Sequence, residues 1–342
     1  MISFFAILTV LATPNIQTLI DQKRWVDASA QLASAEPTAR PRYEGLIAQG
    51  QGQPKAAAQA FERALVQTPN VPQLHLHAAH AYFQLKQFED VLRHARAASA
   101  LKTQAVVQPL LEARALEGLN KDAEAYSVLL NAGIHFKTAY RPWLELAALA
   151  HRKKLANEVR RAAREVLARK PDRAAILSLF HLLYGDRDAI PILEQIIAQN
   201  PTDADLRAHL GHVYAGEQRW LSAARLFEEA TDLGGRYAFE AADQYRMAAR
   251  HRDALRLNGL VPSSQRQLAQ KVSILFEQEQ YARIVAIDAD FKDPAMGYRV
   301  AYSHYAVGDY SAAYTHARAL LKSRYRAEAT ALLKAIGHDQ SP

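Results

Sequence analysis

The stretch from Ala204 to Tyr237 limits the possible folds of this chain more than any other. It reads ADLRAHLGHVYAGEQRWLSAARLFEEATDLGGRY. Two runs of helical apolar spacing flank the polar turn Gly216-Glu217-Gln218-Arg219. Along them Leu210-Gly211, Tyr214, Trp220, Ala223, Phe227 and Ala230 alternate small and large side chains. On facing helices such alternation lets two surfaces interlock without voids. Gly211 permits close approach, Tyr214 and Trp220 fill the end where the helices meet, and Phe227 is the plug between them. A helix pair of this kind cannot bury its apolar face alone, so one pair predicts neighbours.

The pattern recurs. Residues 38–71 carry Gly45, Ala57, Phe61 and Ala64, and 72–105 carry Ala79, Tyr82, Phe88, Val91 and Ala95. Residues 106–139 carry Ala113, Leu116, Ala125 and Leu129, and 140–173 carry Trp143, Leu146, Ala147, Val159 and Ala163. The starts at 38, 72, 106 and 140 are each 34 apart (72−38, 106−72, 140−106). The spacing then contracts through 174–203, with its tight turn Gly185-Asp186-Arg187, before the organising stretch at 204–237. Residues 238–264 fit least well and break at Val261-Pro262-Ser263-Ser264. Residues 265–293 and 294–326 follow, the latter with Ala301, Gly308-Asp309-Tyr310, Ala313 and Ala317. A helix pair over 13–37, around Trp25 and Ala28, precedes the array, and a closing helix and short tail, 327–342, end it.

The 34-residue period and these residue types resemble the tetratricopeptide repeat (TPR) family, from about residue 15 to about residue 336. The resemblance implies an all-α fold, a right-handed α-solenoid of stacked antiparallel helix pairs. It also implies a concave groove, lined by the first helix of each pair, that holds a peptide or partner domain. His181 and Tyr245 depart from the pattern by standing where a small residue is expected, which predicts wider helix packing there.

Met1 to Ala12 is an apolar run ending in small residues, although no Lys or Arg precedes it. It is read as a signal peptide, 1–12, which places the protein in the periplasm or outside the cell; a cytoplasmic chain with a buried first helix is the alternative. The run is too short to span a bilayer comfortably, and no other stretch could cross one. The chain has no cysteine, which excludes a disulfide or thiolate metal site. Its formal net charge of +7 favours acidic partners without choosing among them.

Placing the pattern on the chain directs Arg42, His80, Phe83, Arg114, Arg141, His151, Arg152, His212, Arg246, Phe276, Tyr298, Tyr302 and Tyr305 toward the groove, with Leu76, Leu110 and Leu144. Arginines beside aromatics suit carboxylates and extended peptides. Tyr298, Tyr302 and Tyr305 share one helical face and read either as packing against the closing helices or as an anchor for a partner. Arg160, Arg161 and Arg164 form a basic flank on a second helix, read as a solvated face or as a docking patch.

His75, His77 and His80, and His209 with His212, approach metal-ligand spacing, but no HExxH run or cysteine accompanies them. No metal or cofactor is therefore expected. GxSxG, GxxxxGK[ST] and strand-borne GxGxxG motifs are missing, so an enzyme is the least favoured class. The expected function is that of a non-catalytic scaffold binding an acidic protein or peptide, in the cell envelope. The alternatives are an intracellular adaptor or co-chaperone, and a binder of an anionic polymer such as a polysaccharide, using Arg114, Arg141, Arg152 and Arg246. A membrane surface is a further anionic partner for the basic flank, whereas nucleic acid is not expected, because no recognition motif is present.

Overall fold

A computed structural model describes residues 15–287, 289 and 291–339. The stretch read as a signal peptide, 1–12, lies outside them. The described residues are helical, with no strand among them. No helix among them is long and apolar enough to cross a membrane.

The chain divides after Leu182 into two compact units. The first holds five helix pairs: α1 (Ile16–Asp21) with α2 (Trp25–Ala30), α3 (Arg40–Gly50) with α4 (Pro54–Gln67), α5 (Pro72–Gln84) with α6 (Phe88–Ala100), α7 (Val107–Gly118) with α8 (Asp122–His135), and α9 (Arg141–Arg152) with α10 (Ala156–Leu167). Helix α11 (Arg173–Leu183) ends it. Its core is a chain of fully buried plugs, among them Phe61, Leu116, Leu129, Leu146 and Leu179.

The second unit opens with α12 (Ile190–Gln199). It continues with the pairs α13 (Ala204–Gly216) and α14 (Trp220–Asp232), α15 (Ala238–Met247) and α16 (His251–Asn258), α17 (Gln265–Glu277) and α18 (Tyr281–Val285), α19 (Pro294–Ala306) and α20 (Tyr310–Ala319). Helix α21 (Arg326–Asp339) closes it. Here α16 and α18 are short, at 8 and 5 residues.

Local chemistry sets the helix ends. Pro54, Pro72 and Pro294 stand first in their helices, where the missing N–H costs nothing. Asp203, Ser264 and Asp309 cap α13, α17 and α20, accepting hydrogen bonds from the amides of Leu206, Gln267 and Ala312. The turn after each first helix passes through one residue of positive φ: Lys23, Gly52, Lys86, Asn120, Lys154, Gly185, Gln218, Ala249, Glu279 and Gly308. In nearly all of them the next amide bonds back to a carbonyl five residues earlier, as in Gln87 to Tyr82 (3.0 Å), Lys121 to Leu116 (2.8 Å) and Arg250 to Tyr245 (2.8 Å). This satisfies a carbonyl that the helix end would otherwise leave unpaired.

A side chain other than glycine is strained in that conformation. Ala249 has φ +56°, is exposed, and contributes no packing. Ala249→Gly should therefore raise stability by about 0.5–1 kcal/mol, and Gly308→Ala, at φ +83°, should lower it by a similar amount. Chemical denaturation of both variants tests the pair, and a shift of the same sign in the two would refute it.

The turns also fix the register of the small positions. Seven residues before seven of these ten turns lie Gly45, Ala79, Ala113, Ala147, Gly211, Ala242 and Ala301, and all seven are buried, whereas Ile16 and Val272 stand at that distance before Lys23 and Glu279. Tyr245 is not at this position, contrary to the sequence reading. The small residue of its repeat is Ala242, and Tyr245 corresponds to Tyr82 and Tyr214, four residues before the turn. His181, exposed, likewise falls four residues before Gly185, and Ser178 takes the place expected to be small.

Tyr82, Tyr214 and Tyr245 share a purpose. Each donates its hydroxyl to a glutamate on the preceding second helix: Tyr82 to Glu62 (3.0 Å), Tyr214 to Glu194 and Tyr245 to Glu228. Burial, then the glutamate, pushes the Tyr82 and Tyr214 hydroxyls up to about 12. These hydrogen bonds tie each pair to the second helix before it.

Candidate functional site

In the first unit, the first helices α5, α7, α9 and α11 together line a cavity of about 320 Å³. Its wall brings together His80, Leu110, Arg114, Arg141 and Leu144, with Glu145, Tyr140 and Asp172. A second hollow of about 550 Å³, lined by Leu144, Ala148, Leu177 and His181, adjoins it through Leu144 and Glu145. Phe83 lies under Arg114, whose guanidinium carbon is 6.0 Å from the ring centre.

The cations of this face are largely matched. Arg114 pairs with Glu145 on the next first helix, Arg152 with Glu117 on the previous one, and Lys153 with Asp122. Tyr140 donates to Asp172 at 2.6 Å, and Arg141 acts on both of them electrostatically. Burial raises the pKa of Glu117 even though Arg152 opposes it. Arg42 reaches Gln17 at 3.4 Å and lies 5.9 Å from the centre of the Tyr43 ring. His151 is exposed at the end of α9.

The histidines of α5 make contacts within the unit, although His80 also lines the cavity. His77 stacks on Phe61 (5.2 Å between centres) and bonds to Gln49, as His80 does at 3.0 Å. Burial lowers both pKa values, assisted by Arg42 at His77 and by Arg114 at His80. Buried His94 contacts Glu62 at 3.0 Å and His75 at 3.1 Å. No group of three or more His, Cys, Asp or Glu that could hold a metal forms among the described residues.

In the second unit, His212 meets Phe227 edge-on (4.8 Å), and desolvation lowers its pKa against the pull of Glu240. Arg246 is held by Glu277 (2.7 Å) and Asp243 (3.0 Å). Phe276, Tyr302 and Tyr281 form a mutual ring cluster with centres 5.6–5.7 Å apart. Tyr298 stacks on Tyr325 (5.7 Å), and Tyr305 meets Tyr310 (5.8 Å). Tyr298, Tyr302 and Tyr305 are partly buried against the core formed by Ala301, Ala313, Ala317, Leu332 and Ile336. Their rings pack against this core and stay partly exposed.

A cavity of about 470 Å³ lies among α15, α17, α19 and the segment before α19. The sequence reading had placed only Arg246 of its lining in the groove. Phe239, Arg266, Ala269, Phe291 and Met296, which also line it, were not singled out by the sequence. The signal for this cavity was faint, because the break at Val261-Pro262-Ser263-Ser264 hides the repeat that shapes it.

The basic flank lies on α10. Arg161 and Arg164 are exposed, and Arg160 is half-buried. Arg161 faces Glu158 at 3.7 Å. The charge is tempered but remains at the surface.

No protein-family model matches the sequence, and no curated protein matches it. Several solved structures are similar to it. A tetratricopeptide repeat protein from Parabacteroides merdae has 12% identity over 87% of this chain and 98% of its own, with a TM-score of 0.40. MamA has 14% identity over 56% of this chain and 94% of its own, with a TM-score of 0.37. YrrB, described as a TPR protein with an unusual peptide-binding site, has 12% identity over 64% of this chain and 92% of its own, with a TM-score of 0.34. At such scores the likeness carries no functional weight. The helix pairs, the buried small position and the recurring turn identify the architecture on their own: the chain is built as an all-α array of tetratricopeptide-repeat-like helix pairs.

Proposed function

We propose that this protein is a non-catalytic scaffold that holds a peptide segment of another protein against the row of first helices in its first unit. The observation that carries this reading is the cavity shared by α5, α7, α9 and α11. Four successive repeats contribute to it, as an extended ligand laid across them would require. Apolar Leu110 and Leu144 offer contact area, while His80 and Arg141 offer polar ends. Arg114, Arg152 and Arg246 already serve neighbouring carboxylates. A preference for acidic partners therefore falls on Arg141 more than on a field of free arginines. The apolar Met1–Ala12 run supports a cell-envelope location, with an intracellular adaptor as the second reading.

The test is photocrosslinking in the native cell with a benzophenone side chain at position 144 or, as control, at 66, where Val66 is 85% exposed on α4. Adducts at 144 but not at 66, lost in Arg141→Glu, are expected. Equal yields from both positions, or adducts indifferent to Arg141→Glu, would overturn the reading. Mass spectrometry of the same sample reports the N-terminal peptide. A mature start at Thr13 supports the envelope, and an intact Met1 the intracellular adaptor.

A further inference from the structure

The second unit carries a site of different character. The cavity among α15, α17 and α19 measures about 470 Å³, within the ~300–1,000 Å³ span of small-ligand sites. Phe239, Phe291, Ala269 and Met296 give it apolar walls. One of its cations is already neutralised, Arg246 being held by Asp243 and Glu277, and its carboxylate Asp293 faces Arg324 at 3.5 Å. Arg266 and Lys292 remain, and among the described residues neither makes an ion pair. Arg266 sits over the Phe239 ring, its guanidinium carbon 3.8 Å from the centre. That contact holds the guanidinium against the ring, and its planar fork of N–H donors suits a carboxylate. An apolar hollow beside this guanidinium matches a molecule with an apolar body and one carboxylate.

We propose that this cavity binds an amphipathic carboxylate: an apolar ring or chain seated between Phe239, Phe291 and Met296, its carboxylate on Arg266 with Lys292 beside it. The chemistry is shared by a small free acid and by the carboxyl terminus of a peptide ending in an apolar residue. The site is independent of the first-unit cavity, and neither proposal needs the other.

Methionine supplies the probe. The chain has three, Met1, Met247 and Met296. Met296 is buried on the cavity wall, whereas Met247 is 44% exposed and does not line it. The full chain is labelled with [methyl-13C]methionine and titrated with 4-phenylbutyrate, with its neutral amide, and with an acetylated dipeptide ending in phenylalanine. The Met296 methyl signal should move with the acid and Met247 should not. The amide should bind roughly ten-fold more weakly, because it lacks the charge-assisted hydrogen bond. Arg266→Gln should erase the difference between acid and amide, and Ala269→Phe, which fills the hollow, should abolish the shift.

A stronger response to the peptide than to the free acid assigns the ligand to protein termini; the reverse assigns it to free acids. The proposal fails if Met296 stays still up to about 10 mM. It also fails if acid and amide act alike on the unmodified chain, or if Met247 moves as much as Met296. A cooperative thermal unfolding transition, retained in each variant, shows that the chain is still folded.

Discussion

Phe61→Ala is expected to destabilise the first unit by about 3–5 kcal/mol, the range for removing a fully buried aromatic ring. The ring is completely buried and stacks on His77, so truncation opens a void that α3, α4 and α5 cannot easily close. Its fit depends on Gly45. A methyl group there would come within 2.5 Å of the Phe61 ring edge, and within 2.9 Å of its tip. Gly45→Ala should therefore cost about 1–3 kcal/mol through overpacking. The corresponding Gly211 leaves 3.0 Å to Phe227, so Gly45 is the sharper test.

The two effects should not add. Leucine at 61 vacates the space that the new methyl occupies, so Gly45→Ala with Phe61→Leu should lose less than the sum of the single changes, with a coupling of about 0.5–3 kcal/mol. Midpoints of urea unfolding for the three variants decide it. Additive losses would show that Gly45 and Phe61 do not share the packing described here.

A second large loss is expected from Asn258→Leu. Asn258 is only 1% exposed and joins α16 to α17. Its amide donates to the carbonyl of Gln267 (3.0 Å) and to the Gln270 side chain (2.9 Å), and it accepts from the Gln267 amide at 2.7 Å. Gln270 continues the network to the carbonyl of Phe239 at 2.9 Å. Leucine fills the volume but leaves polar groups of Gln267 and Gln270 unsatisfied away from water, at about 1–3 kcal/mol for each such group. A total loss of about 2–4 kcal/mol in chemical denaturation is expected. A loss below about 1 kcal/mol would mean that water or rearranged side chains meet those groups instead.

The helix pairs were legible because the small and large positions recur with a fixed period, and burial follows the pattern at Gly45, Ala79, Ala113, Ala147 and Gly211. The turn geometry was not. Gly52, Gly185 and Gly308 advertise a positive φ, but Lys86, Asn120, Lys154, Gln218, Ala249 and Glu279 adopt it with residues that announce nothing. That hidden register is why Tyr245 was set against Gly211 when its counterpart is Tyr214.

The cation pairing was missed for a different reason. Arg114 and Glu145 are 31 residues apart, Arg246 and Glu277 also 31, and Glu117 and Arg152 35. Each arginine viewed alone looks available, and only opposite charges compared one repeat apart reveal its partner. The second-unit cavity depends on a link and a shortened helix that break the period, so periodicity could not disclose it.

The recurring turn has a consequence for how such a chain can change length. Lys86, Asn120 and Lys154 stand 34 residues apart in sequence and share almost the same φ, between +57° and +59°. Cutting after Lys86 and rejoining at Lys121 would remove one repeat length, α6 and α7, and pair α5 with α8, while presenting the junction with the backbone angle it already had. Duplication at the same points would add one repeat length with equal ease. Lysine, asparagine, glutamine, alanine and glutamate all occupy these joints, so a new junction would not require glycine, although glycine would relieve its strain. Gain and loss of modules, followed by divergence of the exposed faces, are thus mechanically simple for this backbone.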